Sequence, residues 1–245
     1  MSDQLLTIWP YILLAARAGF LGGLIALVWS PKARARSAIQ HFAAGAVLAA
    51  VASNVIPEAE HLGTIAGILS GLAAGGLSMI GPKWLVLKVE REEKSRHKLP
   101  LGLAAAAAVD TLLDGALIGA GFSANQQLGT ILAFALAIEL FFLTLSVGVE
   151  FRKGRVKRWQ ALAVTSGIAI LLLVGAFGAS VLLEGASEAT LAVVLAFGAA
   201  ALIYLIAEEL LVETIEAEES LFSTATLFAG FLLLLALKLL GQDNP

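Results

Sequence analysis

Asp110, Asp114 and Glu139 are the residues of this chain best placed to do chemistry. The first two lie in LAAAAAVDTLLDGALIGAGF and the third in ILAFALAIELFFLTLSVG, apolar runs with no basic residue nearby in sequence. An ionised carboxylate at bilayer depth costs about 2.5–3.5 kcal/mol on insertion scales. Asp110 and Asp114 are four apart, so on a helix they share one face about 6 Å from each other. Two like charges so placed repel unless a cation sits between them or a proton neutralises one. A cation or proton site explains the pair better than protonated acids bonded to a neighbouring helix.

Other polar residues carry a weaker signal. Glu208, Glu209 and Glu213 fall in LIYLIAEELLVETIEAEE. Glu208 and Glu209 are candidates for a transport pathway, whereas Glu213, Glu216, Glu218 and Glu219 read as a solvated helix end. Ser53 and Asn54 precede Pro57, and either supply neutral oxygens to a pathway or bond the backbone that the proline frees. Thr111, beside Asp110, is a further neutral oxygen. Arg17 either snorkels or pairs with an acid. His41 belongs at an interface, and His61 and His97 belong in loops.

Long apolar elements must position these groups. The 245 residues are 59% hydrophobic and 14% charged, with mean hydropathy +0.89. Soluble domains run near 45–50% apolar and about 25% charged, so a water-soluble enzyme, a nucleic-acid binder and a disordered chain are excluded. The absence of cysteine removes disulfides and thiolate ligands and leaves carboxylate or imidazole sites open. The start, Met1-Ser-Asp-Gln, lacks the basic region of a cleavable signal, so the first apolar segment is expected to be retained.

Eight spans are expected, at about 8–29, 39–57, 64–87, 101–122, 129–150, 160–183, 190–212 and 221–240, in a single membrane domain over 1–245. All must be helical, because lipid offers no partners to an open backbone. Of 16 Lys and Arg residues, 14 lie in the windows 32–36, 83–98 and 152–158. The positive-inside rule then puts loops 30–38, 88–100 and 151–159 in the cytoplasm and both termini outside. A bacterial-type cytoplasmic (inner) membrane is the expected location. An internal repeat agrees: FAAGAVLAAVASNVIPE from Phe42 aligns with FGAAALIYLIAEELLVE from Phe197, in spans that run in opposite directions. Inverted repeats are a common transporter construction.

The stretch from Asp110 through Gly115 to Gly119 resembles the fourth-helix motif of the ZIP (Zrt/Irt-like) metal transporters, His-Asn-x-x-Asp/Glu-Gly followed by Ile-Gly. ALAIELFFLTLSVG resembles the family's fifth-helix segment, where His/Gln-Asp/Glu-x-Pro-His/Glu-Gly follows Ala-Ile. The second and seventh spans look like their family counterparts. The resemblance implies an all-α fold of eight helices in a 3+2+3 arrangement with inverted repeats. It also implies that spans 1, 4, 5 and 6 move as a unit against spans 2, 3, 7 and 8. Asp110 stands where the family has His, Asp114 at its bridging acid, and Thr111 at its Asn. Glu139 stands at the first His/Gln position, or at the acid position if the register shifts by one. Leu140, Phe142 and Leu143 replace the acid, the proline and the second His/Glu. One metal position is thus kept, and most of a neighbouring one is lost.

The expected function is a non-enzymatic divalent-cation permease. Asp110, Asp114 and Glu139 are the expected metal ligands, with Thr111, Asn54 or water completing the shell. The metal is substrate, not a prosthetic group, and Zn²⁺, Mn²⁺ and Fe²⁺ all stay open, although an all-oxygen shell suits Mn²⁺, Mg²⁺ or Ca²⁺. The alternative is a ZIP-like protein that has lost metal transport and carries protons or another solute, or acts as a scaffold or sensor. The expected partners are the lipid bilayer and the metal ion, with no nucleic acid. Runs such as Gly71 to Gly76 permit close helix packing within the chain or in a homodimer.

Overall fold

Regular hydrogen bonding of an apolar chain gives helices throughout. The structure, a computed structural model, describes the backbone of residues 2–94, 101–154, 156–216 and 221–242. Side chains are described for the same residues except 2–7, 33, 80–94, 101, 208–216, 221, 241 and 242. Among the described residues nine α-helices occur: α1 Ser2–Ala26, α2 Ala33–Ala50, α3 Ile56–Leu62, α4 Ile65–Lys94, α5 Leu101–Ala124, α6 Gln126–Lys153, α7 Arg158–Leu182, α8 Glu188–Glu216 and α9 Leu221–Gln242. A π-helical turn, Val51–Val55, joins α2 to α3 in one rod. No strand occurs among the described residues.

Among the described residues seven segments are long and apolar enough to cross a membrane: Ile8–Ala26, Arg34–Leu62, Gly102–Ala124, Gln126–Lys153, Arg158–Leu182, Glu188–Ala207 and Phe222–Leu240. The chain is in this coarse sense a multi-pass membrane protein. The expected span at 64–87 falls on α4, whose described apolar part, Ile65–Met79, is shorter. Outward-facing side chains are apolar, as on α7, where Ile170, Val174 and Val181 are all more than half exposed. In water such a stripe promotes association; in a bilayer it meets lipid.

Local sequence explains the joints. Asn125 alone separates α5 from α6, and its side chain accepts from the Leu128 amide at 2.7 Å to cap α6. The connection is thus tighter than the turn over 123–128 that the sequence suggests. Gly185 takes a positive φ of 75° in the turn before α8, where a side chain would be strained. The π turn follows from Pro57, which has no N–H to donate to the carbonyl of Ser53 four residues earlier. Lys238 of α9 fills that role, its ammonium donating to the Ser53 carbonyl.

The helices pair through glycine. Gly45 of α2 lies against the carbonyl of Leu227 in α9, and Gly230 against that of Phe42. Gly71 and Gly75 of α4 lie against the carbonyls of Val193 and Phe197 in α8. The partner of the glycine run in α4 is therefore a helix of the same chain. Gly115 and Gly119 of α5 meet the carbonyls of Leu172 and Ala176 in α7, and Gly22 of α1 meets that of Phe141 in α6. A methyl group at any of these positions would collide with backbone. Small residues at such spacing let membrane helices approach closely enough for dispersion and weak polar contacts to hold them.

The most extensive pairings are α5–α7, α1–α6, α2–α9 and α4–α8. They divide the molecule into two groups. One comprises α1, α5, α6 and α7; the other comprises α2, α3, α4, α8 and α9. The seams between them are α2–α6, α4–α5 and α5–α8. Exchanging α1 with α7, α2 with α8, α4 with α9 and α5 with α6 maps each principal pairing onto another. The Phe42–Phe197 alignment obeys this exchange, since each carbonyl meets a glycine of the exchanged partner, Gly230 or Gly75.

The Lys238 bond generates a test. Lys238→Met leaves the part-buried Ser53 carbonyl without this bond, at a cost below that of a fully buried acceptor, about 1–3 kcal/mol. Pro57→Ala restores an N–H able to reach that carbonyl. The loss of thermal stability in Lys238→Met is therefore expected to shrink in the double variant. Equal losses with and without proline would show that Lys238 does not serve the freed carbonyl.

Candidate metal centre

Each acidic helix is supported from behind by a partner of its own group. Gly175 of α7 sits against the Leu112 carbonyl, in the turn between Asp110 and Asp114, while Gly115 meets the Leu172 carbonyl. On the other side, Leu140 of α6 covers Gly19 of α1. Thr144 donates to the Gly19 carbonyl at 2.7 Å and lies near the Leu140 carbonyl at 2.8 Å. The exchange that pairs α5 with α6 sets Leu112 against Phe141, because both carbonyls receive a glycine. Asp110 and Glu139, each two residues earlier, then occupy matched positions. Leu143 occupies the match of Asp114.

Asp110, Asp114 and Glu139 come together. One carboxylate oxygen from each lies within 4.8 Å of the other two. A point equidistant from three corners at that spacing is no more than about 2.8 Å from each. Ca²⁺ takes oxygen at about 2.3–2.6 Å and Mg²⁺ at about 2.0–2.1 Å, so small side-chain movements close the shell. Asp114 is 1% exposed and Glu139 9%. Three ionised carboxylates around a divalent ion leave a charge of −1, far less costly than −3 in a low-dielectric setting.

The remaining candidates are more scattered. Thr111 is fully buried, and its hydroxyl has no hydrogen-bond partner among the described residues, which leaves it available to a ligand or water. Asn54 is buried in the π turn, where its amide donates to the Ser53 hydroxyl at 2.9 Å. Ser53 in turn donates to the Ala49 carbonyl, so this polar pair serves the irregular backbone. The side chains of Glu208 and Glu209, with Glu213 and Glu216, lie outside the described residues, as do Glu218 and Glu219. Arg17 is exposed on α1. His41 is half-buried, with its Nδ1 2.8 Å from the Ser37 carbonyl; His61 is exposed, and His97 lies outside the described residues.

Asp110 and Asp114 also line a cleft between α5 and α8, with a volume of about 60 Å³. Leu113 and Leu117 continue its α5 wall, and Val194, Phe197, Leu202 and Leu205 form most of the other. Sequence reasoning missed this apolar wall. Its signal is the i, i+3, i+4 recurrence of α8 residues facing the acids, which in an all-apolar helix does not stand out. A comparison with models of known protein families and with curated proteins finds no match to this chain.

Clustered like charges make the site a stability liability when no cation is bound. Asp114→Asn is expected to raise the melting temperature of the metal-free protein, by about 2–4 °C for each kcal/mol of repulsion relieved. The same variant should lose the further rise that metal gives the parent. A lower metal-free melting temperature in Asp114→Asn would mean that the cluster is held by internal hydrogen bonds instead.

Proposed function

We propose that this protein is a divalent-cation permease of ZIP type, with the ion as substrate held by Asp110, Asp114 and Glu139. The observation that carries this reading is the convergence of three carboxylates from two neighbouring helices, inside a chain otherwise built for lipid. A hard, all-oxygen donor set favours Mn²⁺ or a similar ion over the softer, imidazole-seeking ions, while Zn²⁺ and Fe²⁺ remain substrates in competition. The proposal includes a bacterial-type inner membrane with both termini outside, an orientation supported by the clustering of basic residues in three loops. The eight-helix 3+2+3 arrangement belongs to the same proposal, supported by the symmetric pairing of the helices.

The two-group packing supports the transport reading. The ligands all lie in α5 and α6, members of one group, so the ion can travel with that group without breaking its shell. The seam facing α8 is apolar apart from the acids themselves, which lets one surface move over the other without exchanging hydrogen bonds. The alternative function, proton or organic-solute carriage or a sensor role, is motivated by the missing histidine and by Leu143 at the position matching Asp114.

Titration of the purified protein with Mn²⁺ at neutral pH is expected to show one ion per chain. Mutating partners outside the first coordination shell costs about 10–100-fold in metal affinity, so Glu139→Gln, which removes a ligand, should cost at least that. Asp110→His should shift preference toward Zn²⁺ and Co²⁺. No bound ion in the parent would hand the function to the alternative, and an unchanged ion ranking in Asp110→His would remove Asp110 from the shell.

A further inference from the structure

The two helix groups are also joined by charge, far from the carboxylate cluster. Arg36 near the start of α2 and Glu150 near the end of α6 are 114 residues apart in sequence and belong to different groups. Arg36 Nη1 donates to Glu150 Oε1 at 2.6 Å. Among the described residues no other ion pair crosses between the groups. Lys153, three residues along α6, donates to the same oxygen at 2.7 Å. Arg152 binds the Ala26 carbonyl at 2.6 Å and so fixes this end of α6 to α1, inside its own group. Glu150 therefore holds one partner across the seam and one on its own helix.

We propose that Arg36 and Glu150 form a releasable latch between the two groups, with Lys153 as the partner that keeps Glu150 when the latch opens. The proposal rests on the reading that the groups move relative to one another. Opening a buried ion pair would strand a charge, whereas here the Arg36 and Glu150 side chains are 29% and 32% exposed and the carboxylate stays paired. Partly exposed pairs contribute little, so loss of the latch should change the ratio of open to closed molecules by about two- to fivefold. A latch of that strength biases the groups without locking them.

The absence of cysteine allows a direct test. Ala35→Cys in α2 and Gln160→Cys in α7 put one exposed site on each group near the latch. Spin labels at both sites, read by pulsed dipolar spectroscopy in metal-free lipid vesicles, report the separation of the groups. Glu150→Gln and Arg36→Gln are expected to raise the ratio of long to short separations about two- to fivefold. Lys153→Gln is expected to lower it, because Glu150 then has only Arg36. The reversal Arg36→Glu with Glu150→Arg keeps the cross-group pair, removes the exchange partner and should also favour the short separation. Unchanged distributions, or Lys153→Gln moving them in the same direction as Glu150→Gln, would overturn the latch. Metal plays no part in this readout. Distances that respond in a protein that binds no metal would leave the latch standing and remove the permease reading; fixed distances in a metal-binding protein would do the reverse.

Discussion

Charge in a medium that cannot solvate it is the constraint on which this structure turns. A carboxylate at bilayer depth is tolerated when something offsets its charge, and this chain places three within reach of a single ion. Holding them there demands two helices at fixed separation and rotation. Backbone-level contacts supply that precision, α5 on α7 through Gly115 and Gly175, α6 on α1 through Gly22 and Thr144. Leucine-on-leucine packing alone gives no such register in lipid, where both faces of a helix are equally apolar.

The same constraint explains the smaller polar features. Thr165 bonds carbonyls one turn back in its own helix, which satisfies the hydroxyl without a partner helix. Lys238, a cation within α9, is directed to the backbone oxygen that Pro57 cannot serve. Arg152 stops at the carbonyl of Ala26, where the C-terminal end of α1 carries partial negative charge. Both of these cations meet a carbonyl supplied by an irregularity or an end of a helix.

Legibility in the sequence followed the range of the interaction. Helical spans announce themselves through twenty-residue apolar runs, and the Asp110–Asp114 pair through a spacing of four. The alignment of Phe42 with Phe197 is also readable, because it compares two continuous stretches, and both carbonyls meet a glycine of another helix. Glu139 could be nominated as an isolated intramembrane acid, but its meeting with the aspartates depends on the one-residue joint at Asn125. Lys238 is one of only two Lys or Arg residues outside the clusters, but its role needs the fold that brings α9 to the π turn. The pairing of Arg36 with Glu150 has no sequence signal, since nothing local relates residues 114 positions apart.

The shared ion is the central claim, and X-ray absorption at the manganese edge tests it most directly. Mn²⁺ loaded at one equivalent into the parent and Glu139→Gln gives the shell itself. Coordination by the three carboxylates predicts an oxygen-only first shell at about 2.0–2.6 Å, with carboxylate carbons beyond it, and a weaker carbon signal in Glu139→Gln, where only the two aspartates still contribute. Imidazole scattering, or a spectrum that Glu139→Gln leaves unchanged, would contradict an ion held between α5 and α6.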